Sequence, residues 1–297
     1  MKKNILLITL LLALSVIFVG CDMNEINGDD NQPNGNQGAP SSEISNTEGN
    51  GGNVSDLEDT SFTFVPKVLA PTPDEEKVTE EDAITNAKND SNKYAEVEQN
   101  PIVTMVVKDY GTVKMELYPK VAPESVENFI SLINKGVYDG LIFHRTIPGF
   151  MAQGGDPEGT GSGGPDYSIV GEFSVNGFTN DLTHVRGLLS MARATENNSA
   201  GSQFFIVTTD STYLDGSYAG FGRVLEGMDV VDKVVSVEVL LREADIDMSK
   251  ITTIEEYIEL MSKCDRPVNP PVIESMTVDT FGVTYDEPEK IMQEVAE

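Results

Sequence analysis

Two short segments of this chain combine polar and apolar side chains at a spacing that could form one small site. The first runs from Phe143 to Asp156 and the second from Gly201 to Ile206. Together they supply the polar residues Arg145, Gln153 and Gln203 and the apolar residues Phe150, Met151 and Phe205. Neither segment has the pattern of a covalent nucleophile or a metal site. A few polar groups beside apolar walls predict a pocket that orients a small, partly apolar group.

Other catalytic patterns receive no support from the sequence. The 2 histidines exclude a histidine-rich metal site, and the sequence has neither a G-x-S-x-G nor an H-E-x-x-H motif, so hydrolase chemistry is unsupported. Gly159, Gly161 and Gly164 have the G-x-G-x-x-G spacing of dinucleotide sites. However, Pro165 follows where a helix should begin, and no βαβ pattern surrounds the glycines. We interpret this stretch as a glycine-rich surface loop.

The two segments closely resemble the paired signature of the cyclophilins, the peptidyl-prolyl cis-trans isomerases. The resemblance covers residues 102–282 of this sequence. It implies a mainly β fold, namely a closed eight-stranded antiparallel β-barrel capped by two helices. It also implies isomerisation of X-Pro bonds in proline-containing polypeptides, with no cofactor and no metal.

By this resemblance, Arg145 and Gln153 are the catalytic residues. Rotation about a prolyl amide is slow because the nitrogen lone pair is delocalised into the carbonyl, which gives a barrier of about 18–20 kcal/mol. In the twisted transition state the prolyl nitrogen becomes pyramidal and can accept a hydrogen bond. A fixed guanidinium at Arg145 would therefore stabilise the twisted form more than either planar form. Gln153 matches the polar residue near the substrate carbonyl.

The resemblance also identifies substrate-binding residues. Phe150, Met151, Phe205 and Leu214 match the walls of the proline pocket, Gln203 matches a further polar position, and Ala192 and Arg193 match the segment whose backbone pairs with the substrate. Tyr213 stands where eukaryotic members carry Trp, and Tyr218 stands where they carry His. Both tyrosines keep an aromatic body with a polar tip. Arg193 stands where the family commonly has Asn, and a backbone role can survive that change.

The hydrophobic pattern places these residues in a β-rich domain. Residues 102–107 and 112–117 are β-rich runs joined by a short turn, which predicts a hairpin. Pro123 at a first helical position and Gly136 just past an apolar stripe predict an amphipathic helix between them. Further strands are predicted at residues 187–192, 203–208, 220–224 and 272–278, and a short helix at residues 228–235.

One segment, residues 240–263, is longer than a minimal cyclophilin needs. Within it, Thr253 and Glu256 have capping-box spacing ahead of apolar residues at helical intervals, so we predict an inserted helix. Its apolar stripe is expected to pack on the barrel, and the alternative is a surface for a partner. Cys264 follows the helix and is expected to be an inert thiol.

The N-terminus has the order of an export signal. Lys2 and Lys3 precede an uncharged run that continues to Gly20, and its apolar core is short for a membrane-spanning helix. Cys21 follows Val-Gly and resembles the bacterial lipobox, in which the cysteine is acylated; an ordinary secretory signal is the alternative. We therefore predict a signal peptide at residues 1–21, and a lipid anchor that holds the protein on the extracytoplasmic face of a bacterial membrane.

Residues 22–100 are rich in Asn, Gly, Ser, Asp and Glu and have almost no sustained apolar pattern, which predicts a disordered tether. They carry eighteen acidic residues against four lysines, so nearly half of the net charge of −29 lies outside the predicted isomerase domain at residues 101–282. This acidity argues against nucleic-acid binding. Residues 283–297 are predicted as a C-terminal tail, and the protein as a monomer.

These features predict a lipid-anchored prolyl isomerase that assists the folding of exported or surface polypeptides. Two alternatives remain. One is a module of the same fold that binds proline-containing segments without turnover. The other is a lipoprotein whose inserted helix recruits a partner while the barrel serves as a scaffold. The presence of Arg145 beside Phe150 and Gln153 favours the enzyme, because a pure binder has no need of the donor.

Overall fold

The computed structural model describes residues 63–70, 78–89, 92–242 and 245–292. The predicted signal peptide and Cys21 lie outside these residues. Across the described ranges, the helices are all too short or too polar to span a bilayer. The described chain is mainly β, as predicted, and the predicted site residues Arg145, Met151, Gln153 and Phe205 lie on one large antiparallel sheet.

Helices and strands in the described residues largely follow the hydrophobic pattern. The helices are α1 (Glu80–Asn89), α2 (Pro123–Asn134), α3 (Met228–Val235) and α4 (Ile254–Lys263). The strands are β1 (Ile102–Val107), β2 (Gly111–Leu117), β3 (Phe143–Ile147), β4 (Met151–Gly154), β5 (Tyr167–Ser168), β6 (Leu188–Met191), β7 (Phe204–Val207), β8 (Gly220–Glu226), β9 (Ile273–Asp279) and β10 (Ile291–Met292). The strands predicted from the pattern are confirmed as β1, β2, β6, β7, β8 and β9, while β3 and β4 carry the first signature segment.

Eight of the strands form one curled antiparallel sheet in the order β3-β4-β7-β6-β8-β2-β1-β9. The expected closed barrel is wrong, because the sheet is open between its edge strands β3 and β9. An isolated bridge between Ile142 and Val272 joins the two edges, and the Phe143 N–H donates to the Pro271 carbonyl at 2.9 Å. Pro270 and Pro271, just before Val272 and β9, lack backbone N–H groups, so a regular ladder cannot continue along that edge.

The inner face of the sheet packs with α2 and α3 around one hydrophobic core. The α2 ring of Phe129 lies against Tyr138, Phe204 and Phe221, with ring centroids between 4.9 and 5.4 Å apart. From α3, Val230 and its neighbours are buried in the same core. Both predicted helices are therefore confirmed, and Pro123 opens α2 as its position predicted.

The inserted helix is present as α4 and begins with the predicted capping box. Thr253 Oγ1 accepts from the Glu256 N–H at 3.1 Å, and the Glu256 carboxylate accepts from the Thr253 N–H at 3.2 Å. Its buried residues Tyr257 and Met261 pack with Cys264 and with isoleucines of the preceding segment, in a cluster separate from the main core. The expectation that this stripe packs on the barrel is therefore wrong, because the insert supplies its own apolar partners.

Three segments pack on the domain outside the sheet. Residues 78–89, 92–98 and 283–292 are here called the flanking layer. In α1, Ala83 and Ala87 are buried against Val170, and the tail strand β10 pairs with β5. The predictions of a disordered tether up to residue 100 and of a separate C-terminal tail are wrong for these residues. The buried residues of α1 are two small alanines, and only Ile84 adds a larger apolar side chain, so the sequence shows almost no apolar pattern here.

The two ends of the flanking layer contact each other. The rings of Tyr94 and Tyr285 lie 4.8 Å apart, and Lys93 forms ion pairs of 2.8 Å with both Glu127 and Asp286. Because Glu127 belongs to α2, this network joins residues 92–98 and residues 283–292 to the helix that packs on the core. The flanking layer is thus held by contacts between residues far apart in sequence.

Residues 63–70 also lie on the domain. The Lys67 N–H donates to the Pro157 carbonyl at 2.7 Å, and the Lys67 ammonium donates to the carbonyls of Val137 and Asp139 at 2.9 and 3.0 Å. Phe64 packs against the main core. The chain therefore meets the domain well before residue 100. Of the predicted tether, residues 22–62 lie outside the described residues.

Candidate active site

Three predicted site residues lie in one row across three strands. Arg145 on β3 is paired with Gln153 on β4, which in turn is paired with Phe205 on β7. Residues directly opposite each other on antiparallel strands point to the same face of a sheet. The adjacent positions Ala152 and Ile206 belong to the core, so the row lies on the outer face. The two-residue period of the strands therefore separates the polar signature residues from the core.

An apolar cluster forms beside this row. Met151, Phe205 and Leu214 are buried with Leu188 and Val207, while Phe150, Ala192 and Tyr218 are half-buried against them. Tyr213 is 56% exposed, and its ring centroid lies 6.0 Å from that of Phe150. The Tyr218 ring lies 5.9 Å from the Phe205 ring. The structure thus brings the predicted wall residues together, with Tyr213 and Tyr218 beside them.

Arg145 lies largely buried at the edge of the sheet. Its side chain is 11% exposed, and its Nη2 lies 3.9 Å from Oδ2 of Asp265, whose side chain is 3% exposed. The other carboxylate oxygen of Asp265 lies 3.6 Å from Nη1 of Arg242. Sequence reasoning missed Asp265 and Arg242, because Arg242 lies in the inserted segment, Asp265 lies two residues after it, and neither belongs to a signature segment.

The two predicted glutamines bond to each other. Gln153 Nε2 donates to Gln203 Oε1 at 2.9 Å, and Gln203 Nε2 donates to the carbonyls of Gly161 and Gly163 at 3.0 and 2.8 Å. The glycine-rich stretch is therefore a loop, as predicted, and it also fixes Gln203. A cavity of about 370 Å³ lies here, lined by Gln153, Gln203, Ala192, Arg193, the glycine loop and nearby residues.

Two departures from the family pattern, Arg193 and Tyr218, are in contact. The guanidinium carbon of Arg193 lies 4.7 Å from the Tyr218 ring centroid and 5.1 Å from that of Phe173. Arg193 Nε also donates to the Ser217 carbonyl at 2.8 Å. Burial raises the pKa of Tyr218, and the charges of Arg193 and Arg145 oppose that shift. The side chain of Arg193 is therefore held by the chain itself, beside one wall of the pocket.

His184 is a site residue that sequence reasoning used only to exclude a metal site. Its ring stacks 6.1 Å from Phe205, its Nδ1 lies 2.8 Å from Asp215 Oδ1, and its Nε2 lies 3.0 Å from Ser190 Oγ. A Ser-His-Asp order is familiar from hydrolases, but Ser190 is 0% exposed on β6 and cannot reach a substrate. Burial lowers the pKa of His184, although Asp215 opposes the shift. A neutral imidazole thus supports the Phe205 ring.

The arrangement offers hydrogen-bond donors beside an apolar pocket. Arginine and glutamine side chains donate hydrogen bonds without exchanging protons near neutral pH. Within the described ranges, no group of three or more His, Cys, Asp or Glu residues is placed to hold a metal ion. The chemistry available at this face is therefore the binding and polarisation of a neutral polar group, such as an amide.

Several known proteins are similar to this chain. A model of the family described as "Cyclophilin type peptidyl-prolyl cis-trans isomerase/CLD" matches residues 102–256. Peptidyl-prolyl cis-trans isomerase B of Bacillus subtilis is 44% identical over 135 residues, which span 46% of this chain and 91% of that protein. A peptidyl-prolyl cis-trans isomerase of Synechococcus elongatus is 44% identical over 138 residues, 44% of this chain and 90% of that protein.

Among solved structures, a cyclophilin-type isomerase of Cryptosporidium parvum, crystallised in the presence of the dipeptide Ala-Pro, is 30% identical. The match covers 60% of this chain and 99% of that chain, with a TM-score of 0.47. The family model and the two bacterial relatives carry the assignment. They show that the chain belongs to the cyclophilin-type peptidyl-prolyl cis-trans isomerase family.

Proposed function

We propose that this isomerase acts on X-Pro bonds of exported or surface polypeptides and assists their folding. In this proposal it works as a monomer that is held by a lipid at Cys21 on the extracytoplasmic face of a bacterial membrane. Its substrates are proline-containing segments of other proteins, and it uses no cofactor.

The proposed mechanism assigns a separate task to each part of the site. Met151, Phe205 and Leu214 hold the proline ring, which restricts the substrate to an orientation in which its amide faces the donors. Arg145 then donates to the prolyl nitrogen as it becomes pyramidal, and Gln153 bonds near the substrate carbonyl. Because the donor meets the nitrogen only in the twisted amide, this bond lowers the rotational barrier without tightening ground-state binding.

The row of Arg145, Gln153 and Phe205 carries this proposal. It places a cation, an amide and a buried aromatic ring of the pocket on one face of three adjacent strands. A module that only binds proline segments would need the pocket but not a largely buried guanidinium. Burying such a charge is costly unless it is paired, and Asp265 supplies a partner here.

A test of turnover against binding separates the enzyme from the binding module. The full chain should accelerate cis-trans exchange of a short X-Pro peptide, and chelator should not reduce the rate. A titration of the same peptide should be run in parallel. Peptide binding without any acceleration would favour the module, and loss of activity with chelator would contradict the assigned chemistry.

The membrane anchor is supported by the order of residues 1–21 and by the place of Cys21 directly after Val-Gly. Since the described chain already meets the domain at residues 63–70, residues 22–62 would serve as the tether. As a flexible coil of that length they would reach roughly 35 Å. This reach would let the site approach polypeptides near the membrane surface.

A single substitution tests the anchor. Cys21→Ser removes the thiol that would be acylated, so labelling with a radioactive or clickable fatty acid should be lost. The protein should then accumulate as a precursor or leave the membrane fraction. Cys264→Ser is the matched control, because Cys264 is buried and should leave labelling unchanged. Undiminished labelling of the Cys21→Ser protein would exclude the lipid anchor.

A further inference from the structure

We infer that Asp265 is a positioning residue for Arg145, and that the inserted segment delivers it to the site. This inference rests on the catalytic role proposed above for Arg145. Asp265 follows the inserted helix in sequence but lies directly beside the outer edge of β3. It would not touch the substrate, and it would act by fixing the guanidinium that does.

The edge position of β3 explains how Asp265 reaches the site. An edge strand has backbone groups without a neighbouring strand, and these need other partners. The Thr146 N–H donates to the Asp265 carbonyl at 2.9 Å, and Arg242 Nη1 donates to the Thr146 carbonyl at 2.7 Å. Both ends of the insert therefore bond to one residue of β3, next to Arg145.

The two ends of the insert are also joined to each other. The Asp265 N–H donates to the Leu241 carbonyl at 2.7 Å, and the Leu240 N–H donates to the Arg266 carbonyl at 2.8 Å. Asp265 has a φ of 52°, in the left-handed region that Asp and Asn adopt more readily than most other residues with a side chain. Such a conformation persists only where surrounding contacts impose it. The contacts around this turn therefore hold the backbone of Asp265 in a conformation that points its carboxylate toward Arg145.

The carboxylate lies between two cations. Its Oδ2 lies 3.9 Å from Arg145 Nη2 and its Oδ1 lies 3.6 Å from Arg242 Nη1. The side chains of Arg145 and Asp265 are largely buried, so their attraction is screened less than that of a surface pair. Arg145 has many rotamers, and a fixed negative charge behind it reduces the number it can adopt. The guanidinium would then meet the prolyl nitrogen without first being ordered.

The residue after Asp265 supports the other side of the site. Arg266 Nη1 donates to the Gly159 carbonyl at 2.5 Å, in the same loop whose carbonyls accept from Gln203. Asp265 and Arg266 thus contact both the donor residue and the loop that holds the glutamine pair. If residue 265 served only to join the two ends of the insert, its backbone hydrogen bonds would suffice, and a carboxylate beside Arg145 would not be required.

Asp265→Asn tests the inference with little change in shape. Asn also tolerates positive φ, and both backbone hydrogen bonds of residue 265 remain possible. We expect kcat/KM to fall roughly tenfold, since misplacing a catalytic group by about 1 Å can cost up to ~100-fold. Peptide affinity should change by less than about threefold, because the apolar pocket is intact. Asp247→Asn, in an exposed pair with Lys250, is the matched control and should keep the wild-type rate.

A double-mutant cycle separates positioning from a structural role. If Asp265 acts through Arg145, Asp265→Asn should cost nothing further in an Arg145→Ala background. Independent losses that multiply, or a wild-type rate for folded Asp265→Asn, would overturn the inference while leaving the role of Arg145 intact. A wild-type rate for Arg145→Ala would overturn both. Should Asp265→Asn fail to fold, Asp265→Glu keeps the charge but moves it, and a wild-type kcat in that variant would also overturn the inference.

Discussion

The outer face of β3, β4 and β7 and the flanking layer use charge in opposite ways. On the outer face, the cation Arg145 is paired with Asp265, and the imidazole of His184 is kept neutral because burial lowers its pKa. Beneath the flanking layer, by contrast, two carboxyl groups are buried close to each other. Glu124 accepts the backbone N–H of Glu289, and Glu172 accepts those at the start of α2.

The two buried carboxyl groups titrate near neutral pH. Burial first, and then the charge of Glu172, raise the pKa of Glu124 to about 8. Burial raises the pKa of Glu172 to about 7, although hydrogen bonds from Ser125 oppose the shift. We therefore expect pH to act on the stability of this protein through the flanking layer, and not on catalysis through the outer face.

The largest expected effect on turnover comes from Arg145→Ala. A charge-assisted hydrogen bond contributes about 1.5–3 kcal/mol, so kcat/KM should fall by roughly tenfold to a few hundredfold. Peptide affinity should fall less. Arg145→Lys should restore little, because a single flexible ammonium does not reproduce the planar guanidinium. Isomerisation assays on folded variants measure this loss, and a wild-type rate for Arg145→Ala would show that Arg145 is not the catalytic donor.

Phe205→Ala should weaken binding and turnover together. The ring is buried at the centre of the apolar cluster, against His184 and Tyr218. Its loss opens the proline pocket in the ground state and the transition state alike, and leaves a cavity that costs about 3 kcal/mol or more of stability. Peptide titration and thermal unfolding measure the two effects. If affinity stayed at the wild-type value while turnover fell, the proline pocket would lie elsewhere.

The outer face could be predicted from the sequence because its residues are close together in two segments. Strand period then fixes which of them share a face, so Arg145, Gln153 and Phe205 had to align once β3, β4 and β7 paired. The capping box of α4 was equally readable, since Thr253 and Glu256 interact locally. The position of Asp265 beside Arg145 could not be predicted from the sequence, because it depends on the path of the whole insert.

The flanking layer could not be predicted, because its contacts join residues far apart in sequence. Ala83 and Ala87 become a buried face only when Val170 is present beneath them. One local signal was available for α1. Thr79 Oγ1 accepts from the Asp82 N–H at 3.1 Å, a helix-start pattern followed by an acidic first turn. Some of the acidic residues that predicted disorder therefore form the first turn of a helix.

Raising pH from 6.5 to 9 should destabilise the protein while leaving catalysis nearly flat between about pH 6 and 8. In the unfolded chain a glutamate has a pKa near 4.3 and is ionised throughout this range, whereas folded Glu124 and Glu172 begin it largely or partly protonated. Unfolding therefore releases protons, and stability falls as pH rises through 7 and 8. We expect a loss on the order of 2 kcal/mol, or roughly 5 °C in Tm.

The chosen pH window avoids the histidines. Burial lowers the pKa of His144 to about 4 and also lowers that of His184, so their effect on stability is confined below about pH 6.5. Glu124→Gln keeps an acceptor for the Glu289 N–H and should flatten the Tm profile, while Glu255→Gln on exposed α4 should not. A bell-shaped kcat/KM profile, or a Tm that rises with pH in this window, would contradict this prediction.

The smallest expected effect is that of Arg193→Asn, which restores the residue common in the family. Arg193 lies next to the pocket, yet its guanidinium stacks on Tyr218 and Phe173 and its Nε bonds to the Ser217 carbonyl. These contacts hold the loop at residue 217, and the backbone of residues 192 and 193 needs no particular side chain to pair with a substrate. We therefore expect a loss of about 1 kcal/mol in stability from the lost cation–π contact, with kcat/KM within about threefold of wild type.

Ala192→Pro is the matched contrast, because it removes the N–H that donates to the Gln203 carbonyl at 3.0 Å and should reduce turnover much more. A tenfold or greater loss for Arg193→Asn would show that the charge at residue 193 takes part in binding, and the outer face would then depend on two arginines instead of one.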